Sequence, residues 1–254
     1  MKSHISMWLL CFVLCLATAC KKELNSSVNA AGSATLLKEQ NPEPQEFRAA
    51  NFLFVKGIDN PYFPLEPGTV FHYINTINED GETSHEHIQV TVTSDIKKIL
   101  GVNCEVVHDQ VKEGGEVTED TYDWYAQDIF GNVWYFGEYT QALTDTGWST
   151  EGSWEAGVDG ALPGIVMFAD PGLVIGKTYH QEFLAGVAED EAKVINTTSN
   201  VTVSYGHFTN CVKTKEFTIL APGDIEFKFY AKGVGQVLTK SETEREELIS
   251  ITKN

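Results

Sequence analysis

Positive charge is scarce in this chain of 254 residues, where 18 Lys and Arg stand against 36 Asp and Glu for a formal net charge of −18. So acidic a surface repels phosphate backbones and anionic headgroups, which excludes nucleic acid as a partner and membrane attachment by charge. Long apolar runs are missing beyond the first twenty residues, which excludes a polytopic helical membrane protein. No stretch carries a 3.6-residue apolar stripe between caps, save for a short helix predicted over residues 94–100. Absent too are a phosphate-binding glycine loop, a Gly-x-Ser-x-Gly elbow, a His-Glu-x-x-His helix, a complete EF-hand loop and a Cys-x-x-Cys pair. Nucleotide-dependent chemistry and serine hydrolysis therefore lack support. With 42% apolar and 21% charged residues, the chain can still bury a core.

What is present begins with an address. Lys2 precedes a nearly unbroken apolar run from Met7 to Leu16, and Leu16-Ala17-Thr18-Ala19-Cys20 follows it with small residues before a cysteine. This resembles a bacterial lipoprotein signal peptide, which implies cleavage of residues 1–19 and acylation of Cys20, the run being too short to span a bilayer. Acyl chains contribute about 0.8 kcal/mol per buried CH₂, so lipid replaces charge as the means of membrane attachment. Lys21 and Lys22 leave no acidic retention mark after the cysteine, and the leader is similar to those of Bacteroidetes lipoproteins. A cell-envelope protein results, with the outer membrane favoured and the leaflet open. Residues 20–45 read as the lipidated cysteine and a flexible tether, and 46–254 as a single β-rich domain.

From Tyr62 onward, alternating β-branched and aromatic residues are punctuated by turn formers. Five strands are predicted over residues 69–77, 86–93, 103–112, 117–127 and 132–137, and a second series runs from 177 to 252. Short connections favour antiparallel neighbours, because parallel strands need crossovers of about a dozen residues or more. The fold class is all-β: an antiparallel meander forming a large curved sheet or open barrel, with a two-sheet β-sandwich as the alternative. Between the two series, residues 138–176 read as a long irregular loop rich in Gly, Asp and Trp, the kind of segment that carries a binding surface.

Acidic and aromatic residues concentrate around this loop. On a period-two strand Glu119, Thr121, Asp123, Tyr125 and Gln127 share one face, which is a ligand-binding face or an ordinary solvated one. Asp123, Glu155 and Glu182 are the candidate acid and base groups. Trp124, Tyr125, Gln127, Trp134, Trp154 and Asp159 are the candidate ligand-binding residues. Rings stack on sugar faces while carboxylates take hydroxyl hydrogen bonds or perform acid/base work. The expected function is therefore binding of a polar ligand, a glycan or similar, with Ca²⁺ a further candidate for the carboxylates. The alternatives are a carboxylate-based glycan hydrolase or lyase, and a structural lipoprotein without a small ligand. His85 and His87 share a strand face at a spacing that can chelate zinc, but exposed hairpin histidines explain them better. Cys104 and Cys211 form a disulfide or remain two buried thiols.

Four segments carry a resemblance: Asp120 to Asp128 (DTYDWYAQD), Gly131 to Glu138 (GNVWYFGE), Gly152 to Gly160 (GSWEAGVDG) and Pro163 to Met167 (PGIVM). Together they resemble a family of secreted bacterial proteins with no assigned activity. The likeness spans residues 60 to 240 and implies one structural unit there, but it transfers no chemistry.

Overall fold

A computed structural model describes residues 42–53 and 57–253. Cys20, the leader and most of the tether lie outside the described residues. Seven strands form the first run: β1 (Thr69–Glu79), β2 (Glu82–Ile99), β3 (Val102–Glu113), β4 (Glu116–Gln127), β5 (Val133–Thr144), β6 (Gly147–Ser149) and β7 (Trp154–Glu155). Next come β8 (Leu162–Met167), β9 (Thr178–His180) and β10 (Glu182–Phe183). The last five are β11 (Asp190–Val203), β12 (Gly206–Thr218), β13 (Ile225–Ala231), β14 (Gly235–Lys240) and β15 (Glu244–Lys253). Two short 3-10 turns, Ala49–Asn51 and Pro171–Val174, complete the elements.

Every pairing is antiparallel, along the path β10-β8-β5-β4-β3-β2-β1-β15-β14-β13-β12-β11-β9, with β6 and β7 attached to β5. The meander is thus nearly closed into a barrel, not folded into a sandwich. Its halves meet twice: β1 pairs with β15, Thr69 facing Lys253, and β9 runs into β10 through Gln181 alone. Thr178–His180 pairs with β11 while Glu182–Phe183 pairs with β8, so this short strip straddles the one unsealed seam. Gly164 on β8 makes the close approach there: a Cβ on it would stand 2.4 Å from the Gln181 carbonyl carbon and 2.5 Å from the His180 oxygen.

Two-residue turns, Asp80-Gly81, Leu100-Gly101 and Gly114-Gly115, close the first three hairpins, each with both residues at positive φ. That geometry matches the right-handed twist of the strands it joins. Two expectations change here. Residues 94–100 are not helical, because β2 continues to Ile99 past a bulge that the Thr93 hydroxyl pins by donating to the Val106 carbonyl (2.7 Å), and Leu100 begins the next turn. Residues 138–176 are not one irregular loop, since they hold the end of β5, then β6, β7, β8 and a 3-10 turn.

Inward positions on β1 to β3 carry Phe71, Tyr73, Ile88, Val92, Val107 and Val111, all buried. A second apolar layer lies outside β5, where Phe47 and Phe52 pack against Trp134 and Phe136 with ring centroids 5.5–6.3 Å apart. Packing reaches back to Pro42, whose carbonyl lies 2.8 Å from His180 Nε2 on β9. Elsewhere the outward positions include His87, Gln89, Lys112, Lys213, Lys215 and Arg245, unlike the apolar band of a lipid-facing barrel. No helix among the described residues is long and apolar enough to cross a membrane.

Candidate functional site

The alternation on β4 fixes which side chains enter the barrel. Asp123 lies opposite Val107 on one side and Glu138 on the other, and Tyr125 lies opposite Tyr135. Cross-strand partners project to the same face, so the polar face of β4 and its neighbours line the interior. They enclose a cavity of about 220 Å³. Phe71, Tyr73, Ile88 and Val90 form an apolar wall, while Asp109, Glu119, Asp123, Glu138, Glu182, Asp190, Glu216 and Glu246 bring carboxyl groups. Residues 57–66 close one end. Phe63 sets its ring against Tyr125 and Tyr230 at 5.3 and 6.3 Å, Asn60 Nδ2 donates to Gly131 O (2.8 Å), and Gly233 N donates to Pro61 O (2.6 Å).

Among the described residues, eight carboxyl groups and one ammonium, Lys228, line this cavity, so the charge inside is far from balanced. Lys228 Nζ lies 2.8 Å from Glu216 and 3.9 Å from Glu226. Burial alone would lower its pKa, but the facing Glu216 and Glu226 outweigh it and hold the ammonium above its usual range. The carboxyl groups respond in the opposite sense. Desolvation pushes Asp123 and Asp190 to about 6, Glu119 to about 7 and Glu246 to about 8, with neighbouring carboxylates adding to the last two. Burial, then their mutual repulsion with other acids, raises Glu138, Glu182 and Asp109 well above the carboxylate range.

Tyr135 ties two of these groups together. Its hydroxyl lies 2.7 Å from Asp123 Oδ1 and 3.1 Å from Glu138 Oε2. A phenol has one proton to give, so both contacts are hydrogen bonds only when one of the two carboxyls is itself protonated. Among the described residues, other buried acceptors meet no hydrogen-bond donor: Glu138 Oε1, both oxygens of Glu182, Asp109 Oδ1 and Asp190 Oδ1. The Trp154 indole N–H favours the ionised form of Glu182 from a position short of hydrogen-bond contact.

Four of the residues singled out from the sequence meet in this interior. Asp123, Tyr125 and Glu182 line the cavity, and Trp154 borders it edge-on to Tyr135 at 5.4 Å. Gly137 permits that approach, because a Cβ there would stand 2.3 Å from the Trp154 carbonyl oxygen. The other five lie elsewhere. Glu155 faces outward and binds Lys97 (2.7 Å), whose ammonium sits over the Trp124 ring at 3.2 Å. Gln127 Oε1 accepts from the amides of Asp59 and Asn60 at 3.1 and 2.9 Å, holding the plug segment. Trp134 donates to Asp128 Oδ2 (2.9 Å) beneath Phe47 and Phe52, and Asp159 is exposed in a turn.

Glu138, Tyr135, Lys228, Tyr230 and Glu246 escaped the sequence reading as site residues. A signal existed in the period-two sets Glu226/Lys228/Tyr230 and Glu244/Glu246, polar on what proves to be the inner face. Among the described residues, no group of three or more His, Cys, Asp or Glu is placed to hold a metal ion, and His85 and His87 are exposed outside the barrel. Cys104 and Cys211 are both free and buried, and desolvation pushes the Cys104 thiol up to about 12.

No protein-family model matches the chain, and no curated protein matches it either. Among solved structures, it is similar to a Bacteroides fragilis protein described as exported and of YmcC-like fold, at 15% identity and a TM-score of 0.43, covering 76% of this chain and 99% of that one. It is also similar to a Parabacteroides distasonis protein described as a lipoprotein, at 11% identity and a TM-score of 0.41, covering 75% of this chain and 98% of the other.

Proposed function

We propose that this chain is an extracytoplasmic lipoprotein, attached to the membrane through an acylated Cys20, that takes a small polar ligand into its barrel. The observation that carries the ligand is the set of buried acceptors without partners on Glu138 and Glu182, facing a cavity walled by Tyr125 and Tyr135. Buried polar atoms are nearly always satisfied, so unsatisfied acceptors around a space that holds more than one water call for a donor-bearing occupant. Of the acidic and aromatic residues read from the sequence, Asp123, Tyr125 and Glu182 line the concave side of the sheet. Asp123 and Glu182 serve as acceptors for the ligand, and the stacked rings of Tyr125 and Tyr135, 4.9 Å apart, supply its apolar contact. Attachment rests on the lipobox ending at Cys20, and Lys21-Lys22 favours the outer membrane.

The test is a thermal-shift screen of the full chain against monosaccharides, small polyols and small amines. A ligand at about 100 times its Kd adds roughly 2.7 kcal/mol to the native state. The shift is expected to vanish in Asp123→Asn or Tyr125→Ala; a shift that survives both places the ligand outside the barrel. In the same preparations Cys20→Ser is expected to move the chain from the membrane to the soluble fraction. Retention in the membrane would remove the lipid anchor from the proposal.

A further inference from the structure

The interior asks for charge as well as donors. A neutral polyol could satisfy the free oxygens of Glu138 and Glu182 only while both acids stay protonated, whereas an ammonium between them lets them ionise. Glu138 and Glu182 are 1% and 2% exposed, adjacent enough to repel one another, and among the described residues neither meets a cation within ion-pair distance. Ionised without a cation, each would cost several kcal/mol, so the proton stays on, and Lys228, the one ammonium lining the cavity among the described residues, is already engaged by Glu216 at 2.8 Å.

Lys228 also shows what the interior accepts: an aliphatic stem with an ammonium head, placed among carboxylates and beside a tyrosine. The same chemistry is laid out around Glu138 and Glu182. Tyr125 and Tyr135 line the cavity beside Ile88 and Val90, a surface on which methylenes can pack. A bare metal ion fits poorly, since no group of three or more ligating side chains is assembled among the described residues.

Resting on the interior-ligand reading, we infer that the occupant is a small aliphatic amine, its ammonium held between Glu138 and Glu182 and its methylenes against Tyr125 and Tyr135.

The probes are 1,4-diaminobutane and its neutral counterpart 1,4-butanediol, measured on the full chain by calorimetry and thermal shift in salt sufficient to screen surface charge. The diamine is expected to bind and the diol not. Glu138→Gln and Glu182→Gln should each weaken diamine binding at least tenfold, while the exposed Glu113→Gln leaves it unchanged. Both changes are isosteric, and circular dichroism of each variant verifies its fold, so a failure of one leaves the other informative. Diol or monosaccharide binding equal to that of the diamine, and lost in Tyr125→Ala, would overturn the amine while sparing the interior site. Diamine binding that ignores both Glu138→Gln and Glu182→Gln, or no binding by any probe, overturns both.

Discussion

Tyr135, with one proton between Asp123 and Glu138, sets the character of the interior: at least one neighbouring carboxyl must carry a proton for both contacts to hold. Glu182 is the extreme case, since neither of its oxygens has a partner. The unfolded chain ionises this group near its ordinary pKa of about 4.3, whereas the fold keeps it neutral to much higher pH, so holding the proton costs stability as pH rises. Glu182→Gln removes that cost. The variant without ligand should match the parent in thermal midpoint at pH 4 and exceed it at pH 8; a lower midpoint at pH 8 would mean that the carboxylate is paired. That Asp123 and Tyr125 share a face was legible because period two groups side chains on a strand. Whether the polar group faced in or out was not, because one strand does not reveal which side of its sheet is concave. Trp124 and Trp134 misled for the same reason: they are buried, but on the convex side, beneath Lys97 and beneath Phe47.

At the scale of elements, the seam depends on an absent side chain. Gly164 sits on β8 where the backbone of residues 180–181 passes, and a Cβ would come within 2.4–2.5 Å of three backbone atoms. Backbone cannot swing aside as a side chain can. Gly164→Ala should destabilise by about 1–3 kcal/mol, the usual scale for forced overpacking, seen as a lower denaturant midpoint and faster amide exchange in β9 and β10. An unchanged midpoint would show that β8 is free to move away from the strip. Hairpins with Asp-Gly and Gly-Gly turns were readable directly, since those residues accept positive φ. The strands at 147–167 were not: β6 and β7 are only three and two residues long, below the length at which alternation is visible.

For the whole molecule, the acidic excess becomes a statement about pH. Asp123 and Asp190 titrate near 6 in the fold, Glu119 and Glu226 near 7 and Glu246 near 8, all above their unfolded values. The folded chain therefore binds more protons than the unfolded chain between about pH 4 and 8. Stability present below that window is lost as pH rises through it, by up to about 1.4 kcal/mol per pH unit for each mismatched group. The ligand-free chain should melt at a higher temperature at pH 5 than at pH 8, the reverse of a protein held by surface carboxylate pairs. Equal or inverted midpoints would mean that the interior acids are solvated.

The pairing of β1 with β15 carries a further consequence. Either side of it, each half of the sheet grows largely by hairpins between neighbours in sequence, assembled with little search. Joining Thr69 to Lys253 instead closes a ring of nearly the whole folded chain, at an entropy cost of roughly 5 kcal/mol for a loop of that length. The barrel is thus two readily formed half-sheets awaiting one late, costly closure, and the acids become an interior only when it is made.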